Sequence, residues 1–314
     1  MGKLNRRTFL SSIAAAAAGS LASSRSQALP KLEKIIDAHV HFYDPYRPGG
    51  TPFPPKDDTT LYRTVLPAEY RKMTAAYGIK GVIEVEASPL LEDNQWILDL
   101  AKREPIILGT CGDLEIGKAG FRENLERFHK SGRFLGIRIG YLWGRNLHND
   151  LQNPDAFANL KLLAQAGLEV DFVGGPGVID DVIQISDRVP ELRIVIDHMP
   201  FDDPHDAAEK SAYDKALREI EGRPQIFSKV SSVLRRVDNR LVENPDYYRP
   251  KLDELWDIFG ADRLIYGSNW PVSDKVGPYE VVFNVVREYF SARGEDASEK
   301  YFWKNSKVAY RWRA

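Results

Sequence analysis

Eight short apolar runs, each followed by an amphipathic stretch, restrict the fold of this chain more than any other feature. The runs are "KIIDAHV", "KGVIEVEA", "PIILGTCG", "FLGIRIG", "LEVDFVG", "LRIVIDH", "QIFSKVS" and "RLIYGSN". They have the length and the β-branched or aromatic content of strands. Stretches such as "EDNQWILDLAKRE", "FRENLERFHK", "DAFANLKLLAQAG" and "GVIDDVIQISDRVP" carry helical periodicity between them. Such alternation predicts a parallel sheet covered by helices. In 314 residues, eight units predict an α/β fold that closes into a single (β/α)8 TIM barrel, in preference to an open doubly wound sheet. No fixed repeat signature and no interdomain linker is visible, so one domain is expected.

In such a barrel the chemistry sits at the C-terminal ends of the strands. Barrel strands are packed on both faces and default to continuous apolar runs, so polar residues there stand out. His39 and His41 end the first run and Glu86 the second; Arg138 lies in the fourth and Asp171 in the fifth. Asp197 and His198 end the sixth, Lys229 lies in the seventh, and Asn269 follows the eighth. In an extended strand residues i and i+2 share a face, so His39 and His41 project together. They read either as paired metal ligands or as two polar residues closing a strand. By the same alternation Asp197 points away from His198 and reads as a structural partner in the barrel wall. Residues 42–66, rich in Pro and Gly, read as a loop folded over the site after strand 1, with Tyr43, Tyr46 and Phe53 as lining. The stretch "SEKYFWKNSKVAYRW" reads as a closing helix beneath the barrel.

The segments "IDAHVHFYDP", "VIEVEA", "GIRIG", "IVIDHMPFDDP", "FSKVSS" and "RLIYGSNWPVS", in this order, resemble the amidohydrolase superfamily. The similarity is to its lactonase branch, which includes L-fuconolactonase and pyrone-dicarboxylate lactonase, and it spans nearly the whole chain after the leader. The resemblance implies that His39, His41 and His198 hold one divalent metal, with zinc expected, since zinc favours three protein ligands and an open fourth position at catalytic sites. It implies a hydrolase of a small cyclic ester, a sugar lactone or a carboxylated lactone, in which metal-bound hydroxide attacks the carbonyl. Arg138 would hold a substrate carboxylate, with Asp171 and Trp270 also binding substrate. Glu86, Lys229 and Asn269 form the catalytic set. Lys229 reads equally as a salt bridge within the barrel mouth, and Glu86 as a ligand, a base or a hydrogen-bond acceptor.

Asn269 departs from the aspartate that most relatives carry, and an amide takes no proton at neutral pH. Glu86, Asp171 or His148 could serve as base instead; attack could proceed without one; or the chain could bind a sugar or acid without catalysis. A metal-dependent decarboxylase of the same superfamily would use the same histidines. Arg145, His148, Arg235 and Arg236 read as surface charge.

Residues 1–28 read as a signal peptide, with a basic start, a short apolar stretch and Ser26-Gln27-Ala28 at the cut. Arg6 and Arg7 before Thr8-Phe9-Leu10 resemble the twin-arginine export signal. The expected partners are therefore that export machinery and a small-molecule substrate. The expected location is periplasmic or secreted, with no stable membrane anchor and residues 29–314 as the barrel. Removing the leader takes out four basic residues and no acidic one, moving the formal charge from −2 to −6. A mildly acidic chain has no electrostatic reason to seek nucleic acid. Cys111, the single cysteine, reads as a buried inert thiol, and one cysteine makes no intrachain disulfide.

Overall fold

The computed structural model describes residues 32–313, so the expected signal peptide and its cleavage point lie outside the described residues. Eight parallel strands run in sequence order: β1 (Ile35–Val40), β2 (Ile79–Val85), β3 (Ile107–Gly112), β4 (Phe134–Gly140), β5 (Glu169–Val173), β6 (Arg193–Met199), β7 (Ile226–Val230) and β8 (Leu264–Tyr266). Just beyond β8 the ring closes on β1, where Asn269 N donates to His39 O and His41 N to Trp270 O, both at 2.9 Å. The single (β/α)8 barrel expected from the alternation is the architecture observed.

Helix α1 (Pro67–Thr74) precedes β2, and helix α2 (Leu91–Arg103) returns the chain to β3. Asn94, Ile97, Leu98 and Ala101 are the buried residues of α2 that share one face at helical spacing. Further helices follow the later strands in the same manner. Two apolar clusters result. A large one fills the layer between sheet and helices. A smaller one includes Ile36, Ala38, Ile83, Val85, Val195 and Phe227. Ala309, Tyr310 and Trp312 from the C-terminal segment join this smaller cluster. The predicted closing helix is present from Glu295 to Tyr310, interrupted by a π-helical turn over Lys300–Lys304.

Two local departures from regular strand geometry decide where the polar residues go. The register of β1 against β2 shifts between Asp37 and Val40. At the end of β6, His198 adopts φ 62°, the left-handed region that a non-glycine residue occupies only when its surroundings hold it there. Both shifts break the simple in–out alternation at the point where side chains enter the site.

Candidate active site

His39, His41 and His198 come together at the barrel mouth. The ring of His39 has its centroid 4.9 Å from that of His41 and 4.5 Å from that of His198. In each ring Nδ1 is engaged by the protein. His41 Nδ1 lies 2.8 Å from Val85 O, which only accepts, so this nitrogen carries the proton. His198 Nδ1 lies 3.2 Å from the hydroxyls of both Ser231 and Ser232. His39 Nδ1 lies 3.3 Å from Asp197 Oδ1 and 3.2 Å from Lys229 Nζ.

The Nε2 atoms have a different character. His39 Nε2 is buried without a hydrogen-bond partner among the described residues. His198 Nε2 is 3.1 Å from Arg138 Nη2, a donor, and is therefore unprotonated. His41 Nε2 faces Asn269 Oδ1 at 3.2 Å. Burial, reinforced by the nearby Arg138, lowers the His41 pKa to about 4. Burial likewise takes His198 to about 3, with Asp197 opposing and Arg138 assisting. His39 is held well below the usual range by burial and by Lys229. Three neutral imidazoles with protein-bound Nδ1 atoms form a donor set that fits a divalent cation, and a carboxylate behind a ligating histidine is a recurrent support for one. His39, Asp197 and His198 bring one ligand atom each within 4.8 Å of one another, with His41 beside them. A cation held by His198 would share or displace its contact with Arg138.

Asp197 does not point away from His198, contrary to expectation. Asp197 continues the inward face of Val195, and the left-handed backbone at His198 turns that next side chain inward as well, so that Asp197 becomes the hub of the site. Its Oδ2 accepts from Arg138 Nε at 2.8 Å, and its Oδ1 lies 3.0 Å from Lys229 Nζ. Burial opposes ionisation of Asp197, but Lys229, His39 and Arg138 hold its carboxyl well below the ordinary value. Lys229 is sealed from solvent and donates to Asp171, whose other oxygen accepts from Tyr310 at 2.7 Å. Burial works against the charge on Lys229, while Asp171 and Asp197 raise its pKa above normal. A chain of polar contacts thus runs from the closing helix through Asp171, Lys229 and Asp197 to His39.

The other expected residues are placed as follows. Arg138 lies at the imidazole cluster through His198, buried and oriented by Asp197. Asp171 lies deeper, between Lys229 and Tyr310. Trp270 is packed in the core, its ring centroid 5.3 Å from that of Tyr70 and 6.5 Å from that of Phe42. Asn269, at φ 58°, donates from Nδ2 to Ser232 Oγ at 2.7 Å. Glu86 is bound by Arg145, which also reaches Asp113 at 2.7 Å. Burial raises Glu86 to about 8 against the pull of Arg145. His148 is two-thirds exposed and pairs with Asp181.

Arg145 is not the surface charge it was expected to be, because its side chain is 9% exposed and joins two buried carboxylates. Arg235 instead packs on the chain around Ser232 and pairs with Asp202. Cys111 is buried, and burial raises its thiol pKa far above normal, as expected for an inert group. In the loop after β1, Tyr43 is buried and packs on Phe53, which reaches Trp143, whereas Tyr46 is exposed. An open cleft leads to the site, with His198 and Ser232 at its wall and Pro200, Phe201, Arg235 and Arg236 around them. Ser231 and Ser232, which hold His198, lie in the "KVSS" run, and that placement beside strand 7 was the available signal for them.

The family profile described as amidohydrolase matches residues 36–312. An L-fucono-1,5-lactonase of Burkholderia ambifaria is 27% identical over 248 residues, covering 78% of this chain and 82% of its own. Among solved structures, an amidohydrolase from Burkholderia multivorans with bound zinc superposes with a TM-score of 0.78 at 20% identity, covering 89% of this chain and all of its own. A probable 2-pyrone-4,6-dicarboxylic acid hydrolase from Acinetobacter baumannii, with citric acid bound, gives 0.71 at 18% identity, covering 89% of this chain and all of its own. At these identities the two structures report the fold alone.

Proposed function

This chain belongs to the amidohydrolase family, and from that premise we propose that it is a metal-dependent hydrolase opening a small cyclic ester, either a sugar lactone or a carboxylated lactone. The observation that carries the reading is the set of three imidazoles with protein-bound Nδ1 atoms, together with the unpartnered Nε2 of His39. His39, His41 and His198 would hold the cation, zinc being the best match to a nitrogen donor set. When bound there, such a cation polarises a carbonyl and lowers the pKa of a coordinated water to about 7.

The chain's own residues supply the rest. Arg138 is a fixed positive charge at the imidazole cluster, held by Asp197, and suits a substrate carboxylate or the acid released by ring opening. Asp197 fixes the ring of His39 and keeps Arg138 in place. Ser232 links Asn269 to His198. None of the alternative bases is placed beside the imidazoles: Glu86 is held by Arg145, Asp171 lies below Lys229, and His148 is out on Asp181. The reading that fits is lactone opening without a carboxylate base at position 269. Lacking general-base help costs about 10²–10⁴ in rate, which an activated ester tolerates.

The decisive assay is ring opening of L-fucono-1,5-lactone and other sugar lactones by protein carrying zinc or manganese. Turnover lost on chelation and in His198→Ala is the expected result. Full activity in metal-free protein would overturn the metal requirement. A second reading, a decarboxylase, is favoured by Asn269, because carbon dioxide release needs no water-activating base. Carbon dioxide evolved from aromatic acids, with no lactone turnover, would replace the first reading by the second. The proposed compartment is the periplasm, reached by twin-arginine export, a reading supported by Arg6, Arg7 and the apolar stretch after them.

A further inference from the structure

A second group of carboxylates lies away from the imidazoles, where β2 and β3 end against α2. Glu84 and Glu86 both line a small cavity of about 20 Å³, closed by α2 residues Asn94 and Trp96 and by Tyr43 from the loop after β1. That is room for one water-sized particle, since about 10–15 Å³ suffices. Glu84 and Glu86 are 1% and 5% exposed, so both are almost wholly removed from solvent. Glu84 Oε1 and Glu86 Oε2 are buried with no hydrogen-bond partner among the described residues. The second oxygen of each is taken, by Thr110 for Glu84 and by Arg145 for Glu86.

The charges around the cavity do not balance. Arg145 serves both Glu86 and Asp113, and Glu84 has no ion-pair partner among the described residues. Arg47, also on the wall, is paired with Asp93. Ionised, these groups leave two uncompensated negative charges in a nearly dry space, and buried charges require a partner. Ser88 and Thr110 also line the cavity, and its unpartnered ligand atoms are the two carboxylate oxygens. Oxygen ligands with two excess carboxylates suit a hard divalent ion and not zinc.

We infer that Glu84 and Glu86 form a binding site for one hard divalent cation, of the calcium or magnesium type, separate from the imidazole site and bracing β2 and β3 against α2. This site stands independently of the lactonase reading.

The test uses the full chain stripped with chelator, in wild-type and His41→Ala forms. Each is titrated with calcium chloride and with magnesium chloride, followed by calorimetry and by thermal melting. The expected result is one ion bound per chain and a raised Tm in both forms, because His41 takes no part in this site. Glu84→Gln keeps the side-chain shape and removes one charged ligand, so binding should weaken by at least about tenfold. Neither ion binding to the His41→Ala form would overturn the inference, whatever the behaviour of the glutamine variant. Undiminished binding in folded Glu84→Gln would overturn it equally.

Discussion

Asp197 Oδ1 lies 3.3 Å from His39 Nδ1, with both side chains sealed from solvent. This contact joins the imidazole cluster to the buried cations Arg138 and Lys229, since Asp197 bears on all three groups. Asp197→Asn keeps the shape and removes the charge. Zinc affinity should fall about 10–100-fold, as when the support behind a ligating histidine is lost. Stability should fall by about 3–5 kcal/mol, because Arg138 and Lys229 would keep charges with fewer partners. Competitive zinc titration and urea unfolding check the two effects separately. Unchanged zinc affinity would remove Asp197 from its supporting role.

His41→Ala and His198→Ala should each strip the bound metal. Elemental analysis of protein purified without a chelating tag should give about one zinc or other transition-metal ion per wild-type chain, counted apart from calcium and magnesium, the number three imidazoles can hold. Each variant should fall to background and lose the Tm increment that chelator removes from wild type. Full metal content in both variants would place the ion elsewhere.

Asn269→Asp restores a carboxylate beside His41 Nε2, where the amide oxygen now stands at 3.2 Å. If hydrolysis runs without a side-chain base, lactone turnover should rise, by up to about 10²-fold. The rate should also acquire a new acid limb in its pH profile, from titration of the added group. An identical rate and profile would mean that another group already takes the proton.

Glu84 provides a pH test of buried charge. Burial raises its pKa to about 8, only partly offset by the Thr110 hydrogen bond, against an ordinary value of 4.5. The folded chain therefore binds a proton more tightly than the unfolded one. Stability is lost as pH climbs from the ordinary value through about 8, and the penalty is complete above it. In chelator, the stability gained by Glu84→Gln should grow across that window and level off beyond it. Urea unfolding of both proteins at several pH values reads this directly, and a pH-independent difference would show that Glu84 is not strained by burial. Added calcium should abolish much of the difference if the ion neutralises the pair.

Much of the molecule was legible before folding. Eight strands, their order, the loop after β1 and the closing helix follow from periodicities that each segment carries by itself, because strand and helix patterns are local. The polar residues at the strand ends were legible too, since each interrupts an apolar run that two-sided burial would otherwise impose. His39, His41 and His198 converge as their places in the strands suggested.

What the local pattern could not convey was direction and partnership. His198 joins Asp197 at the interior because its backbone sits at φ 62°, a conformation held by packing and not encoded in the alternation of β6. Arg145 looked like surface charge until the chain after β4 laid it across Glu86 and Asp113. Glu84, a residue that no local pattern singles out, is enclosed with Glu86 by β3 and α2. The chain alone determined which elements form and which residues stand at their ends. Only the closed barrel decided which charges meet, because burial, desolvation and pairing arise between segments that are distant in sequence.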